Sequence, residues 1–310
     1  MTSTSTTSLD GRVAIVTGAG RGLGRAEALA LADRGARVVV NDLGPRTSGA
    51  EDPAAEVVAE IRSRGGDALV HHGDVADLAV AGGLLEAAVT TYGGLDALVN
   101  NAGIVRDRMI FSMSEQEFDA VIRVHLRGHF CTLRHATAYW RDRAKATGGP
   151  VDARVINTAS EAFLFGSPGQ PNYAAAKGGI AALTLSVAGA MAKHGVRANV
   201  ICPRARTQMT EGVFDPAVDP DDDPLDADHV ATLVAYLASP ASARLSGQVF
   251  VAYGGFVGLM DAPQLRAEFH APGGRWDVDA LAGALDAHLD ETDPRRSFAA
   301  VSLMRVGAPS

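Results

Sequence analysis

The sequence predicts an α/β protein in which helices cover both faces of one seven-stranded parallel sheet, the doubly wound arrangement. Short runs rich in Val and Ile alternate along the chain with longer amphipathic stretches, as they do in successive strand–helix units. The short runs are apolar throughout, which is typical of parallel strands buried on both faces. We predict strands at residues 12–18, 36–42, 67–74, 95–103, 153–160, 196–203 and 247–255.

The longer stretches between these strands are predicted to be helices. Most of the strand runs end in Gly, Asn, Asp or Pro, which favour the turn that must follow each strand. Helices are expected at residues 22–34, 52–65, 77–92, 114–145, 172–194 and 227–238.

Composition restricts the class of protein. A chain of 310 residues can bury a full core, and its net charge of −8 argues against nucleic acid as the main partner. The two cysteines, Cys131 and Cys202, are far apart and lack histidines at ligand spacing, so we predict neither a disulfide nor a metal site and favour a cytoplasmic location. No apolar run approaches the roughly 18 residues of a membrane span, so no membrane partner is expected.

A glycine-rich turn directly follows the first strand, in the segment TGAGRGLGR at residues 17–25. Its glycines follow the pattern T-G-x-x-x-G-x-G, because Leu23 stands where G-x-G-x-x-G would need a third glycine. Such a turn lets the backbone approach a pyrophosphate at the N-terminus of a helix. The sequence therefore predicts a dinucleotide site with contacts from Gly18, Arg21, Gly22, Leu23 and Gly24.

The choice between NAD and NADP depends on two charged residues. Asp42 ends the second strand, where a carboxylate can accept hydrogen bonds from the adenosine ribose and repels a 2′-phosphate. Arg21 in the glycine turn favours NADP, since it could pair with that phosphate. We give Asp42 more weight, because a solvated arginine needs no partner whereas a carboxylate facing a phosphate is unfavourable. NAD is the expected cofactor and NADP the alternative.

The segment QPNYAAAKGG places Tyr173 and Lys177 one helical turn apart on the same helix face. Ser160 precedes Tyr173 by thirteen residues, GDV at 73–75 follows the third strand, and NNAG at 100–103 closes the fourth. Together with the glycine turn, these motifs resemble the short-chain dehydrogenase/reductase family over about residues 9–258. The resemblance implies a Rossmann fold, a small-molecule substrate and assembly into homodimers or homotetramers.

The resemblance also implies a role for each of these residues. Tyr173 would be the general acid/base, and the Lys177 ammonium, together with the nicotinamide ring, would lower its pKa from the ordinary value near 10. Lys177 would also bond the nicotinamide ribose, and Ser160 would hold the substrate oxygen. Cofactor contacts are implied for Tyr173 and Lys177 themselves and for Asp74, Val75, Asn101, Ala102, Gly103, Pro203 and Thr207.

Two positions depart from the family pattern. His125 stands where the family usually has a catalytic asparagine, and two readings remain open: a fourth catalytic residue that serves the proton relay, or a buried structural histidine. Arg204 follows Pro203 where a glycine is usual, which could reshape the pocket for the nicotinamide carboxamide.

The segments VVVNDLG, GIVRDR and RVHLRG resemble the (3R)-hydroxyacyl-CoA dehydrogenase unit of peroxisomal multifunctional enzyme type 2. This resemblance implies NAD-dependent oxidation of a 3-hydroxyacyl-CoA, with Arg106 and Arg108 either near the CoA phosphates or simply solvated. One alternative is an enzyme of the same fold that acts on a free hydroxysteroid or another secondary alcohol. Another is a nucleotide-binding protein without turnover.

The catalytic, dinucleotide-binding domain is expected at residues 9–258, with one mobile loop inside it and one segment on either side of it. Residues 1–8 form a polar N-terminus that is predicted to be disordered and is not a signal peptide. Residues 215–228, with seven Asp and three Pro, are predicted to be a mobile loop over the substrate. Residues 259–310 are expected to form an extension that covers the cleft or contacts another subunit, with a helix at 277–290.

Overall fold

The computed structural model describes residues 6–45, 50–210, 223–271, 273–293, 298–300 and 303. Within these residues, eight strands form one sheet in the order β3-β2-β1-β4-β5-β6-β7-β8, and every neighbouring pair is parallel except β7 and β8. The strands are β1 (Val13–Thr17), β2 (Arg37–Asp42), β3 (Asp67–His72), β4 (Ala97–Asn100), β5 (Ala153–Thr158), β6 (Val196–Pro203), β7 (Val249–Tyr253) and β8 (Phe256–Leu259).

The prediction of seven strands was therefore wrong by one. β8 pairs antiparallel to β7, with Tyr253 opposite Phe256. The chain reverses between them at Gly254, whose φ of 47° lies in the left-handed region that favours glycine. The predicted strand at 247–255 ended at the two glycines that form this turn, so the apolar residues after them, which form β8, were left out of it.

The helices confirm the predicted doubly wound class. They are α1 (Gly22–Ala32), α2 (Pro53–Ser63), α3 (Leu78–Tyr92), α4 (Glu115–Ile122), α5 (Gly128–Thr147), α6 (Ala162–Phe165), α7 (Pro171–Met191), α8 (Ala227–Ala238) and α9 (Val278–Asp290). Side chains of α1, α2 and α8 pack on one face of the sheet, and those of α3, α5 and α7 pack on the other. A π-helical segment, Arg123–Arg127, joins α4 to α5 within the stretch predicted as one helix.

The strand order places a crevice at the carboxyl end of β1. β1 pairs with β2 on one side and with β4 on the other, so the connections from these neighbours leave in opposite directions. Ligands of open α/β sheets bind at such a switch point, outside the carboxyl ends of the strands. The glycine turn at 17–25 and the NNAG segment at 100–103 both lie at this edge.

The chain divides into two compact units, Met1–Met260 and Asp261–Ser310. The second unit contains α9, where Asp277 caps the helix by accepting the N–H of Ala280 at 2.8 Å. The helix predicted at 277–290 is thus present. Of the predicted mobile loop at 215–228, residues 215–222 lie outside the described residues.

One helical stretch among the described residues, Pro171–His194, is long and apolar enough by composition to span a membrane. It contains α7, which packs between β5 and β6 on one side and the α4–α5 region on the other. Its buried residues include the charged Lys177. The core helix of a globular domain satisfies the same length and composition criteria.

Candidate active site

The glycine turn leaves the N-terminus of α1 open to an anion. Gly18 and Gly22 have φ values of 61° and 52°, so both need the left-handed conformation that glycine tolerates. A Cβ on Gly18 would lie 2.7 Å from the Cα of Ala102, so the two segments approach closely. In this described segment, Arg21 makes no capping hydrogen bond and no acidic residue occupies the first turn of α1. The first N–H groups of α1 are therefore available to a phosphate.

Asn101 fixes the shape of this turn. Its side-chain amide donates to the carbonyl oxygens of Thr17 and Gly18, both at 3.1 Å, and its backbone N–H donates to the Thr17 hydroxyl at 3.0 Å. A Cβ on Gly24 would overlap the Gly18 carbonyl and lie 2.5 Å from the Asn101 amide nitrogen. Leu23, predicted as a cofactor contact, directs its side chain into the hydrophobic core. Any contact of Leu23 with a nucleotide would therefore come from its backbone.

Asp42 lies beside the glycine turn, as predicted from its place at the end of β2. Its carboxylate accepts the N–H of Gly20 at 2.9 Å and the N–H of Leu43 at 2.8 Å. Arg21 pairs with Glu51 at 3.3 Å, and both side chains are largely exposed. The negative charge at Asp42 is thus held by the backbone, while the positive charge of Arg21 is partly offset.

The residues after β3 have protein partners of their own. Asp74 accepts the N–H of Ala76 at 2.9 Å and forms an ion pair with Arg123. Burial opposes the ionisation of Asp74, but these partners outweigh it and lower the pKa of the carboxyl group. Val75 is buried, in contact with Gly128. The structure thus places Asp74 and Val75 beside the crevice, where only part of either side chain can face a nucleotide.

These residues fit a dinucleotide on structural grounds. The turn has glycine where a Cβ would collide, free N–H groups at a helix start and a carboxylate at the end of β2. A cavity of about 360 Å³ lies against Gly20, Arg21 and Gly22. A larger cavity, about 1020 Å³, is lined by Asp10, Gly35 and other residues at the opposite edge of the sheet, and we give it no role in the chemistry.

Three side chains gather beyond the carboxyl ends of β5 and β6. Ser160 follows β5, and its hydroxyl interacts with the phenol of Tyr173 in the first turn of α7. Lys177 lies one turn further along, with its Nζ 5.3 Å from the centre of the Tyr173 ring. Nζ donates to the carbonyl oxygen of Thr158 at 2.6 Å, which holds the buried ammonium at the end of β5.

Burial governs the ionisation of this pair. Burial raises the pKa of Tyr173 to about 12, although the Ser160 hydroxyl acts in the opposite direction. Burial lowers the pKa of Lys177 from 10.5 to about 7. The chain alone therefore does not produce the lowered pKa expected for Tyr173, because the lysine expected to provide the charge is itself desolvated.

His125 lies within the π-helical segment and is 1% exposed. Its ring meets the Tyr173 ring edge to face, with centroids 5.2 Å apart. Nε2 lies 2.8 Å from the carbonyl oxygen and 3.1 Å from the nitrogen of Ile104, so it fixes the loop after β4. A Cβ on Gly103 would overlap the imidazole. Nδ1 has no partner among the described residues, and burial lowers the pKa of His125 well below 6.5.

A layer of buried polar groups continues behind His125. Asn100 donates to Asn157 at 2.9 Å, and Asn157 donates to Thr184 at 2.8 Å, linking β4, β5 and α7. The sequence interpretation missed His129, which donates from Nδ1 to the His125 carbonyl at 2.7 Å and whose pKa burial lowers to about 3. This layer of hydrogen bonds is a candidate for holding in place the helical segments that carry His125 and Lys177.

The segment after β6 carries the predicted carboxamide contacts, Pro203 and Thr207. Thr207 faces the glycine turn: its methyl carbon would lie 3.3 Å from a Cβ on Gly22. Arg204 binds both carboxylate oxygens of Glu161 at 2.5 and 2.8 Å, with its guanidinium 4.7 Å from the centre of the Tyr253 ring. Arg204, which stands where the family usually has glycine, thus ties this segment to Glu161, the residue directly after Ser160.

Two further residues were missed at the sequence level. Glu27 on α1 is completely buried, and its only sequence signal is one acid within the apolar run RAEALALA. Asn172 donates to the carbonyl oxygens of Arg106 and Glu117 at 3.0 and 3.1 Å, which ties the start of α7 to the loop after β4 and to α4. Among the described residues, no group of three His, Cys, Asp or Glu side chains could hold a metal.

The fold and the gathered serine, tyrosine and lysine define a class: an oxidoreductase that acts on CH–OH groups with a dinucleotide. Residues 12–217 match the family model described as short chain dehydrogenase, and the chain belongs to that family. Its members generally bind NAD or NADP and act on small-molecule substrates.

Individual relatives agree with this assignment. The chain is 54% identical over 306 residues to the hydroxyacyl-CoA dehydrogenase ChsB1 of Mycobacterium tuberculosis, covering 97% of this chain and 96% of that protein. It is 41% identical over 257 residues to the peroxisomal multifunctional enzyme type 2 of Mus musculus, covering 81% of this chain but 33% of the mouse protein. The crystal structure of a short chain dehydrogenase from Mycobacterium avium superposes with a TM-score of 0.83 at 46% identity, covering 94% and 99% of the two chains.

Proposed function

We propose that this protein is an NAD-dependent dehydrogenase that interconverts the 3-hydroxyl and 3-oxo groups of an acyl-CoA. The observation that carries the proposal is the arrangement of Ser160, Tyr173 and Lys177 at the same edge of the sheet as the open N-terminus of α1. The reaction needs a proton donor and acceptor and an oxygen-binding group next to a dinucleotide, and these residues supply them.

Each residue has one task in this proposal. The Ser160 hydroxyl donates to the substrate oxygen as negative charge develops there. Tyr173 takes the hydroxyl proton during oxidation and returns it during reduction. The Lys177 ammonium favours the phenolate, and the Thr158 carbonyl holds it in place. The bound dinucleotide would supply hydride transfer and, in its oxidised form, a positive charge beside the phenol.

The choice of NAD is supported by charge at the glycine turn. The Asp42 carboxylate ends β2 beside the glycine turn and accepts two backbone N–H groups, and a carboxylate at this place in the fold would disfavour the 2′-phosphate of NADP. Arg21, the residue that would favour NADP, is paired with Glu51. We infer that the remaining predicted contacts from 74–75, 101–103, Pro203 and Thr207 complete the nucleotide site.

The acyl-CoA part of the proposal is supported by the relatives, two of which are named for hydroxyacyl-CoA or peroxisomal multifunctional enzymes. Arg106 and Arg108 lie on the loop after β4. Arg108 pairs with Glu117 at 3.3 Å, whereas Arg106 is exposed and has no acidic partner among the described residues. We therefore assign Arg106 as the better candidate for a CoA phosphate. A cytoplasmic homodimer or homotetramer remains our expectation for the assembly.

A substrate panel tests this proposal. Purified protein is assayed with NAD⁺ and with NADP⁺ against a 3-hydroxyacyl-CoA, the matching free 3-hydroxy acid and a free hydroxysteroid, by absorbance of the reduced cofactor. We expect kcat/KM to be at least about tenfold higher for the acyl-CoA than for the free acid, a difference of about 1.4 kcal/mol. We also expect kcat/KM to be at least about tenfold higher with NAD⁺ than with NADP⁺.

Turnover of the hydroxysteroid without turnover of the acyl-CoA would replace the proposal with the free-alcohol alternative. Binding of NADH without turnover of any substrate would favour a nucleotide-binding protein. Asp42→Asn is the matched test of cofactor choice, because it removes the charge and keeps the shape. If the Asp42 carboxylate repels the 2′-phosphate, Asp42→Asn should lower the ratio of kcat/KM with NAD⁺ to kcat/KM with NADP⁺.

A further inference from the structure

Glu161, the residue directly after Ser160, carries a buried carboxylate, with 7% of its side chain exposed. The Arg204 guanidinium donates to both of its oxygens, from Nε to Oε2 at 2.5 Å and from Nη2 to Oε1 at 2.8 Å. Two parallel hydrogen bonds of this kind fix the direction of a guanidinium as well as its distance. Since a buried ion pair is weak evidence for stability, we look for its role in the geometry that it fixes.

Arg204 is itself held by the strand next to it. Its backbone N–H donates to the carbonyl oxygen of Ala252 on β7 at 3.0 Å. Its guanidinium lies 4.7 Å from the centre of the Tyr253 ring, where a cation is attracted to an aromatic face. That ring in turn packs against Phe256 of β8, with ring centres 5.1 Å apart. Arg204 is therefore fixed to the β7–β8 hairpin at both its backbone and its side chain.

Glu161 lies inside the turn that orients the Ser160 hydroxyl. The N–H of Ala162 donates to the Ser160 Oγ at 3.2 Å, and the N–H of Phe163 donates to the Ser160 carbonyl oxygen at 3.3 Å. A hydroxyl has a single proton to donate. Because Oγ accepts from Ala162, that proton is left for the Tyr173 phenol or for a substrate oxygen. Glu161 is the residue between Ser160 and Ala162, so a fixed Glu161 side chain holds this turn in place.

We propose that Arg204 and Glu161 are positioning residues for the catalytic hydroxyl. Together they hold the Ser160 turn against the β7–β8 hairpin and so set the direction in which Ser160 donates to the substrate oxygen. They act through Ser160 and need no contact of their own with the substrate. The inference rests on the proposed function, because that function is what gives Ser160 the substrate oxygen.

The first test is kcat for Glu161→Gln, measured in the wild-type protein and in a Ser160→Ala background. Glutamine keeps the size of the side chain and removes its charge. In the wild-type protein we expect kcat to fall about ten- to a hundredfold, because a displaced hydroxyl no longer meets the substrate oxygen correctly. In the Ser160→Ala background we expect a further change of less than about twofold, since no hydroxyl is left to orient. Equal losses in both backgrounds would overturn the proposal, because the pair would then act elsewhere, for example through Pro203.

Asp152→Asn is the matched control at the other end of β5. Asp152 pairs at 2.5 Å with Arg154, whose side chain is 1% exposed, so this variant also breaks an ion pair with a buried partner. It should lower the free energy of unfolding in urea and leave kcat unchanged. A fall in kcat as large as that of Glu161→Gln would show that lost stability alone explains both results, which would overturn the proposal.

Variants of Arg204 test whether the two charges act as one unit. Arg204→Met leaves the Glu161 carboxylate buried without the guanidinium, so it should reduce kcat more than Glu161→Gln does. Arg204→Lys keeps the charge but not the two parallel hydrogen bonds, and its kcat should lie between those of Arg204→Met and the wild type. Adding Glu161→Gln to Arg204→Met should raise kcat severalfold, because no unpaired buried charge remains. A double variant that loses the product of the two single losses would contradict a shared role. If Arg204→Met fails to fold, Glu161→Gln in its two backgrounds still decides the matter.

A crystal structure of Glu161→Gln gives a readout that needs no turnover. We expect the Ser160 Oγ to lose the hydrogen bond from the Ala162 N–H, whereas Asp152→Asn should keep it. An unmoved Ser160 hydroxyl would overturn the inference.

Failure of this inference and failure of the proposed function give different results. If Ser160→Ala lowers kcat and Glu161→Gln does not, the inference alone fails. If Ser160→Ala keeps full kcat, the proposed role of Ser160 is wrong and the inference falls with it. A protein that turns over no substrate of the panel, but whose Ser160 turn moves in Glu161→Gln, would end the proposed function and leave the positioning of Ser160 in place.

Discussion

At Tyr173, burial and charge act in opposite directions. Burial raises the pKa of the phenol, while the group expected to lower it, Lys177, has its own pKa reduced to about 7 by the same environment. A tyrosine base therefore depends on the remaining positive charge near it and on the lysine staying protonated. This dependence was not visible in sequence, because the Y-x-x-x-K spacing reveals that the residues are neighbours but not how deeply they are buried.

The glycine turn gives a prediction for a single residue. Gly24 has helical backbone, so Gly24→Ala adds a methyl group without backbone strain, but this methyl overlaps the Gly18 carbonyl and meets the Asn101 amide. We expect a loss of about 1–3 kcal/mol in the free energy of unfolding and a rise of about tenfold or more in the Kd for NADH. Urea denaturation and NADH fluorescence titration measure the two effects.

Gly189→Ala is the matched control, because Gly189 also lies in a helix, α7, and, apart from its chain neighbours and the nearby backbone of that helix, no atom of the described residues lies within 4 Å of its added Cβ. It should raise the free energy of unfolding by about 0.5–1 kcal/mol. Equal effects of the two alanines would show that the close approach at Gly24 is not what requires glycine.

Among the elements, the π-helical segment between α4 and α5 has the largest consequence for the site. It carries His125 toward Tyr173 and so turns one long helix into two. Segments of this kind inside helices frequently occur at functional sites. Sequence periodicity predicted an uninterrupted helix at 114–145, because one widened turn shifts the apolar pattern too little to be detected over so many residues. By contrast, the starts of α2 and α3 were recognisable, since Asp52 and Asp77 cap them.

The position of α4 depends on a capping box, which gives a prediction for this element. The Ser114 hydroxyl accepts the N–H of Glu117 at 3.2 Å, and the Glu117 carboxylate accepts the N–H of Ser114 at 2.9 Å. Ser114→Ala should lower the free energy of unfolding by about 1 kcal/mol in urea denaturation. Ser186→Ala, on the exposed face of α7, should change it little or raise it slightly. Comparable losses at both positions would contradict a specific role for the box.

For the whole molecule, the parallel sheet, its two helical layers and the edge that bears the site were predictable from strand–helix alternation and the glycine turn. The antiparallel β8 was missed, because the predicted last strand ended at Gly254 and Gly255, although two glycines between apolar runs are typical of a hairpin turn. The network behind the site, from Asn100 to Thr184, was not predictable, since it joins residues 84 positions apart whose contact only the packed sheet creates.

The central claim is that Tyr173 moves the proton during oxidation of the substrate alcohol. The most direct measurement is kcat for Tyr173→Phe with NAD⁺ and the best substrate of the panel, with NADH affinity measured alongside. We predict a fall of about 10²–10⁴ in kcat with NADH binding retained, whereas Tyr236→Phe on α8, at a partly exposed position away from Ser160, should be unaffected. An undiminished kcat in Tyr173→Phe would contradict the claim.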